Sequence, residues 1–180
     1  MDELEPDLIE TQMHVLRPID GGVDVLRQFS AEVLYHHESD VEAIGQVHGW
    51  IGWSISEVDL ADAGDAISGD AEALGVAAVE IIDEYPDTFI DDALLIDRMW
   101  LDPKWRGRRL SGAIIDDLMG LLRLEPESTV VVLQPEPQDP DGGPYEDGGK
   151  RDEAMRRLHA AYRASGLKPW DDSVVWWRPF

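Results

Sequence analysis

Met99-Trp100-Leu101-Asp102-Pro103-Lys104-Trp105-Arg106-Gly107-Arg108-Arg109-Leu110-Ser111-Gly112 is the stretch that decides how this chain folds. An apolar run, Ala93-Leu94-Leu95-Ile96, leads into Met99-Trp100-Leu101 and predicts one strand, which Asp102-Pro103 ends. Ser111 to Leu124 has helical spacing, with Leu110, Ile114, Leu118 and Leu121 on one face. Between strand and helix lies a tight loop carrying Lys104, Arg106, Arg108 and Arg109. Such a junction presents unpaired backbone N–H groups and the positive end of a helix dipole, and both favour phosphate.

Downstream, Thr129-Val130-Val131-Val132-Leu133 is β-branched and predicts a buried strand. Residues 135–150 are rich in Pro and Gly and predict a long irregular loop, a length usually tied to function. Asp152 is a credible N-cap for a helix carrying Ala154, Leu158, Ala161 and Tyr162, with Gly166 at its C′ position. Val174 to Trp177 predicts a closing strand.

Upstream the signals are weaker. Met13 to Ile19 reads as a first strand, and Gly21-Gly22 as a break. Val25, Leu26, Phe29 and Val33 suggest a helix over Val23 to Tyr35. Val47, Gly49, Ile51, Trp53 and Ile55 alternate with Gln46, His48, Gly52 and Ser54, which predicts a strand or a pair broken near Gly49. Residues 59–70, rich in Asp, Gly and Ser, read as a loop. Ser68 or Asp70 then caps a helix carrying Leu74, Ala78, Ile81 and Tyr85, and Pro86 stops it. The alternation of strands and helices after residue 93 argues an α/β architecture. Residues 1–11 read as an acidic flexible lead and 12–180 as a single domain, without internal repeat or interdomain linker.

Composition narrows the function classes. Hydrophobic residues make up 43% of the 180, enough for a core. No run reaches the roughly 18 apolar residues of a membrane span, and the acidic start, Met1 to Asp7, lacks a signal-peptide pattern. The expectation is a soluble, cytoplasmic protein that acts away from membranes. A net charge of -23 argues against nucleic-acid binding through a broad basic surface. It fits a solvated acidic surface better than a device for capturing cationic substrates. With no Cys there is no disulfide, thiolate metal site or Cys nucleophile. His36-His37 beside Glu38 does not make a metal site, because adjacent side chains do not converge on one ion, and no metal is expected. A Ser-His-Asp hydrolase lacks its Gly-x-Ser-x-Gly elbow.

Leu101-Asp102-Pro103-Lys104-Trp105-Arg106-Gly107 resembles the approach to the acetyl-CoA loop of the GNAT superfamily of N-acetyltransferases. That loop is written Gln/Arg-x-x-Gly-x-Gly/Ala. Arg106 occupies its Gln/Arg position, Arg109 stands where the first Gly usually lies, and Ser111 where the second Gly or Ala lies. Leu158-His159-Ala160-Ala161-Tyr162-Arg163-Ala164-Ser165-Gly166-Leu167 resembles the late helix of the same family, Leu-Tyr-x-x-x-Gly-Phe. The two motifs span residues 93–180. The helix at 70–85 and the Arg at 109 depart from the usual pattern.

The resemblance implies an α/β (α+β) fold with a central mixed sheet, splayed strands and helices on both faces. It implies acetyl-CoA as co-substrate and an amine acceptor, which could be a cationic one. Pantetheine would lie along Met99, Trp100 and Leu101, and one strand N–H there would polarise the thioester. The loop and helix start, Arg106, Gly107, Arg108, Arg109, Leu110, Ser111 and Gly112, would hold the pyrophosphate. Tyr162 would protonate the leaving thiolate. Asp97, Glu57 and His48 are candidate bases for the amine, with Asp97 preferred because it precedes the splay. Trp50, Trp53, Trp100, Trp105, Trp176 and Trp177 could wall an acceptor pocket, or serve as core. Single copies and homodimers both fit. A non-catalytic CoA-binding or interaction module is the alternative.

Overall fold

The computed structural model describes residues 8–16, 25–55, 57–139 and 143–180. Its centre is a seven-stranded sheet in the order β1-β2-β3-β4-β5-β7-β6. The strands are β1 (Ile9–Val15), β2 (Arg27–His36), β3 (Val41–Trp53), β4 (Asp92–Leu101), β5 (Thr129–Leu133), β6 (Lys168–Pro169) and β7 (Trp176–Arg178). All neighbours are antiparallel except β4 and β5, so the sheet is mixed. The helices are α1 (Glu57–Asp65), α2 (Gly69–Glu84), α3 (Leu110–Leu122) and α4 (Gly149–Ala164).

Strand alternation sorts the core into two layers. Leu94, Ile96, Val131, Leu133 and Trp176 face α3 and α4, burying Ile114, Ile115, Leu118 and Tyr162. Ala93, Leu95, Val130, Val132 and Trp177 face α1 and α2, burying Leu60, Leu74, Ala78 and Ile81. The sheet is therefore covered by helices on both faces, as expected. No helix among the described residues is long and apolar enough to cross a membrane.

Two local features open the sheet at its centre. The parallel ladder of β4 with β5 runs from Asp92–Thr129 to Ile96–Leu133 and ends with Gln134 N–H on the Ile96 carbonyl. Pro135 and Pro137 follow, and neither has an N–H to continue the ladder. The second half of β4 thus parts from its neighbour. At the same place β4 bulges. His48 pairs with Arg98 and Gly49 with Ile96, which leaves Asp97 without a partner in β3. The bulge shifts the alternation, so Met99 and Leu101, rather than Arg98 and Trp100, pack on the same layer as Leu94 and Ile96. Gly49 is needed there, since a Cβ would stand 2.1 Å from the Leu95 carbonyl oxygen.

Several expectations need correction. The helix expected over Val23 to Tyr35 is strand β2. Phe29 and Val33 are four apart, but Ala31 between them is buried on the same face, which is a period of two. The loop expected over 59–70 contains helix α1. Leu60 is its fully buried anchor, and Gly75 of α2 lets the two helices meet, with space for no Cβ within 2.6 Å of the Leu60 carbonyl oxygen. The first strand runs over Ile9–Val15 and so begins before Met13, with Ile9 to Thr11 of the expected flexible lead paired with β2; residues 17–19 of the expected strand lie outside the described residues. Residues 1–7, the break at Gly21-Gly22 and residues 140–142 of the long loop lie outside the described residues. Helix α4 starts from Gly148 instead of Asp152. Leu121 is exposed instead of buried with its α3 neighbours. His36 ends β2 and His37 follows it, and they pair with separate carboxylates, Glu10 at 2.7 Å and Glu42 at 3.3 Å.

Candidate functional site

Where β4 leaves β5, a cleft of about 570 Å³ opens on the α3/α4 side of the sheet. Met99, Trp100 and Leu101 form one wall. Gly107 and Ser111 stand at one end, where α3 begins. Ala154, Leu158, Ala161 and Tyr162 present the inner stripe of α4, and Glu136, Pro137, Gln138 and Tyr145 form the wall beyond β5.

The end at α3 presents an uncapped helix start, a geometry that can accept an anion. Gly107 (φ 76°) and Arg109 (φ 62°, ψ 32°) are both left-handed, which turns the chain abruptly into the helix. No side chain caps α3, so its leading N–H groups keep their bonding capacity and the positive dipole end. Ser111 is only 8% exposed and lines the cleft. A Cβ at Gly107 would meet nothing within 4 Å, so the approach is open.

Cations gather here in spite of the acidic composition. Lys104, Arg106, Arg108 and Arg109 on the turn, and Lys150, Arg151, Arg156, Arg157 and Arg163 on α4, make nine of the fifteen Lys and Arg residues. Arg157 lines the cleft itself and pairs with Glu153. Arg108 lies over the Trp105 ring at 4.9 Å, and Trp105 packs on Tyr35. Lys104 bonds Glu42, whose carboxyl this bond, aided by His37, holds below its ordinary range. Arg106 is occupied differently. Its Nε–H donates to the Leu101 carbonyl at 2.7 Å, and its terminal nitrogens donate to the carbonyls of Gln138 at 3.1 Å and Asp139 at 3.4 Å.

The structure gathers the expected cofactor residues unevenly. Met99, Trp100, Leu101, Arg106, Gly107 and Ser111 line the cleft. Arg108 and Arg109 are exposed on the turn. Leu110 is buried in the core, and Gly112 packs against Ser165, which a Cβ would approach to 3.3 Å. Trp100 contributes more than its backbone: its indole Nε1–H is buried without a partner among the described residues. Of the six tryptophans proposed as pocket walls, Trp100 alone lines this cleft.

Tyr162 lines the cleft, is 3% exposed and meets Trp176 edge-on at 6.0 Å. Burial pushes its phenol well above the ordinary range. Asp97 is absent from the cleft wall and occupies the bulge where the strands begin to part. Burial raises its carboxyl above the usual value; Asp70 and Glu136 add to this, while Arg98 and His48 oppose it. His48 lies across from Arg98, next to the bulge. Glu57 opens α1. No group of three or more His, Cys, Asp or Glu side chains among the described residues could hold a metal.

Arg157 was not among the expected residues, and the wall at 136–138 was expected only as part of the long loop at 135–150. Arg157 was within reach, because it falls on the stripe of Ala154, Leu158 and Ala161. The wall was not, because it depends on where the chain turns after Pro135.

No protein-family model and no curated protein sequence matches this chain. Solved structures give distant likenesses. The apo form of a mutant agmatine N-acetyltransferase is 17% identical over 73% of this chain and 58% of its own, with a TM-score of 0.37. A polyamine N-acetyltransferase from Drosophila melanogaster is 14% identical over 73% of this chain and 56% of its own, with a TM-score of 0.33. This chain thus spans little more than half the length of either, and both neighbours are N-acetyltransferases.

Proposed function

We propose that this chain binds acetyl-CoA in the cleft and transfers its acetyl group to an amine. One observation carries the reading: a strand edge freed of its neighbour by Pro135 and Pro137 runs toward an uncapped helix start where Ser111 lines the cleft. An extended polar chain ending in phosphates fits both features at once. The free edge of β4 would bond the amides of pantetheine as an added strand does. The pyrophosphate would sit on the N–H groups and hydroxyl at the start of α3. Arg108, Arg109 and Arg157 would supply the countercharge.

The reaction follows from this placement. The amine nitrogen forms a bond to the thioester carbonyl carbon, and a β4 N–H steadies the oxyanion. The C–S bond then breaks. The Tyr162 hydroxyl, which burial keeps protonated, gives its proton to the departing thiolate and regains one through water. Asp97 takes the amine's proton, directly or through water. Its position at the mouth of the splay and its raised carboxyl suit a base working nearer neutrality than a free aspartate.

Release of free CoA thiol in the presence of acetyl-CoA and a panel of amines tests the proposal, with no background from a chain that lacks Cys. Amine-dependent thiol release supports it. CoA binding without turnover on any amine would favour a non-catalytic CoA-binding module.

A further inference from the structure

We infer that Arg106 is a positioning residue, a strap that sets the wall of the cleft facing β4, and not a ligand of phosphate. The inference rests on the acetyl-transfer reading for its functional consequence, but its geometry stands alone. Arg106 reaches in two directions from the turn before α3. One bond goes back to the last carbonyl of β4, Leu101, at 2.7 Å; two go across to the carbonyls of Gln138 and Asp139. Three of the five N–H groups of its fixed planar fork are thereby committed to carbonyls and cannot also turn toward a phosphate.

The far end of the strap is itself braced. Asp139 N–H donates to the Gly143 carbonyl at 2.8 Å, and Gly143 N–H returns to the Asp139 carboxylate at 2.9 Å. Gln138 bridges to Pro144. Arg106 therefore ties a small folded unit, not a loose strand, to the end of β4. Glu136, Pro137 and Gln138 lie between this tie and the end of β5 at Leu133. Since Pro135 and Pro137 forbid a sheet ladder there, the strap is what fixes their distance from Met99 and Trp100. That distance is the width of the cleft beside the reacting carbonyl, so Arg106 governs which acyl chains and acceptors fit.

Hydrogen exchange and ligand titration of Arg106→Ala and Arg106→Lys test this. A lysine lacks the planar fork and cannot reproduce all three bonds. Both variants are expected to exchange the Asp139 and Gly143 amides about tenfold faster or more, as loss of two or three hydrogen bonds requires, with the β4 and β5 amides unchanged. CoA affinity should change less than about threefold, while KM for the acceptor rises and longer acyl-CoAs gain relative to acetyl-CoA. Added methylguanidinium should partly restore acceptor KM in Arg106→Ala. A tenfold or greater loss of CoA affinity, steeper at low salt and with unchanged exchange at 139 and 143, would overturn the strap and make Arg106 a phosphate ligand. If the unaltered chain binds no CoA, the acetyl-transfer reading fails, yet the exchange result still decides whether Arg106 holds the wall.

Discussion

Arg109 holds φ 62° and ψ 32° at the threshold of α3. A non-glycine residue in that region carries roughly 1–2 kcal/mol of strain. The resemblance marked this position as a departure from Gly. The backbone supplies the physical reason a Gly is usual there, which no spacing could reveal. Arg109→Gly should therefore leave the fold about 1 kcal/mol more stable than Arg109→Ala, since alanine keeps the strain. Chemical denaturation of the two variants checks it. Both should weaken CoA binding by about 1–3 kcal/mol if the guanidinium contacts phosphate.

Asp97 gives a second prediction at the same scale. Its folded carboxyl is raised, so the folded state holds its proton to higher pH than the unfolded chain does. Its ionisation therefore costs stability above that raised value, and the cost disappears as pH falls below the ordinary carboxylate range. As a base it must be ionised, so the acid limb of kcat/KM should lie above the range of a free aspartate. Asp97→Asn should remove that limb and most of the activity, without lowering Tm at pH 8. A limb that survives the substitution would assign the base to His48 or Glu57. Asp97 was legible as a candidate because it precedes the splay; the bulge that isolates it was not, because register is a property of two strands.

At the scale of elements, the second half of the chain was more readable than the first. Strands β4 and β5 and helix α3 have one strong period each, and their ends are marked by Pro103, Leu133 before Gln134-Pro135, and the left-handed Arg123. β2 failed because Phe29 and Val33 satisfy both periods, and only burial of Ala31 decides between them. α1 failed because one buried leucine among Asp, Ala and Gly carries little pattern, and its stability comes from contact with α2. That contact is testable. Gly75→Ala places a Cβ 2.6 Å from the Leu60 carbonyl oxygen, so it should cost about 1–3 kcal/mol as overpacking, although alanine favours an isolated helix. A neutral or stabilising result would mean that α1 does not pack there. Within α4, Tyr162→Phe removes the hydroxyl of a residue that lines the cleft. It should leave Tm and CoA affinity nearly unchanged and lower turnover about 10²-fold or more where chemistry limits the rate.

For the whole molecule, the net charge of -23 and the arginines on the α3 turn and α4 act in opposite directions. Self-repulsion among surface carboxylates destabilises the compact state, and salt screens it. Tm should therefore rise with added salt while CoA affinity falls, because the same screening weakens Arg108, Arg109 and Arg157 against phosphate. Composition alone made the acidity legible. That Arg106 and Arg157, from the α3 turn and α4, line one cleft became visible only when those two segments met in space. The most direct measurement is calorimetric titration of acetyl-CoA into the unaltered chain across a salt series. The expected result is one site per chain, weakening as salt rises, with a stabilisation of about 2.7 kcal/mol at a hundred times the dissociation constant. No binding at millimolar acetyl-CoA and low salt would contradict it.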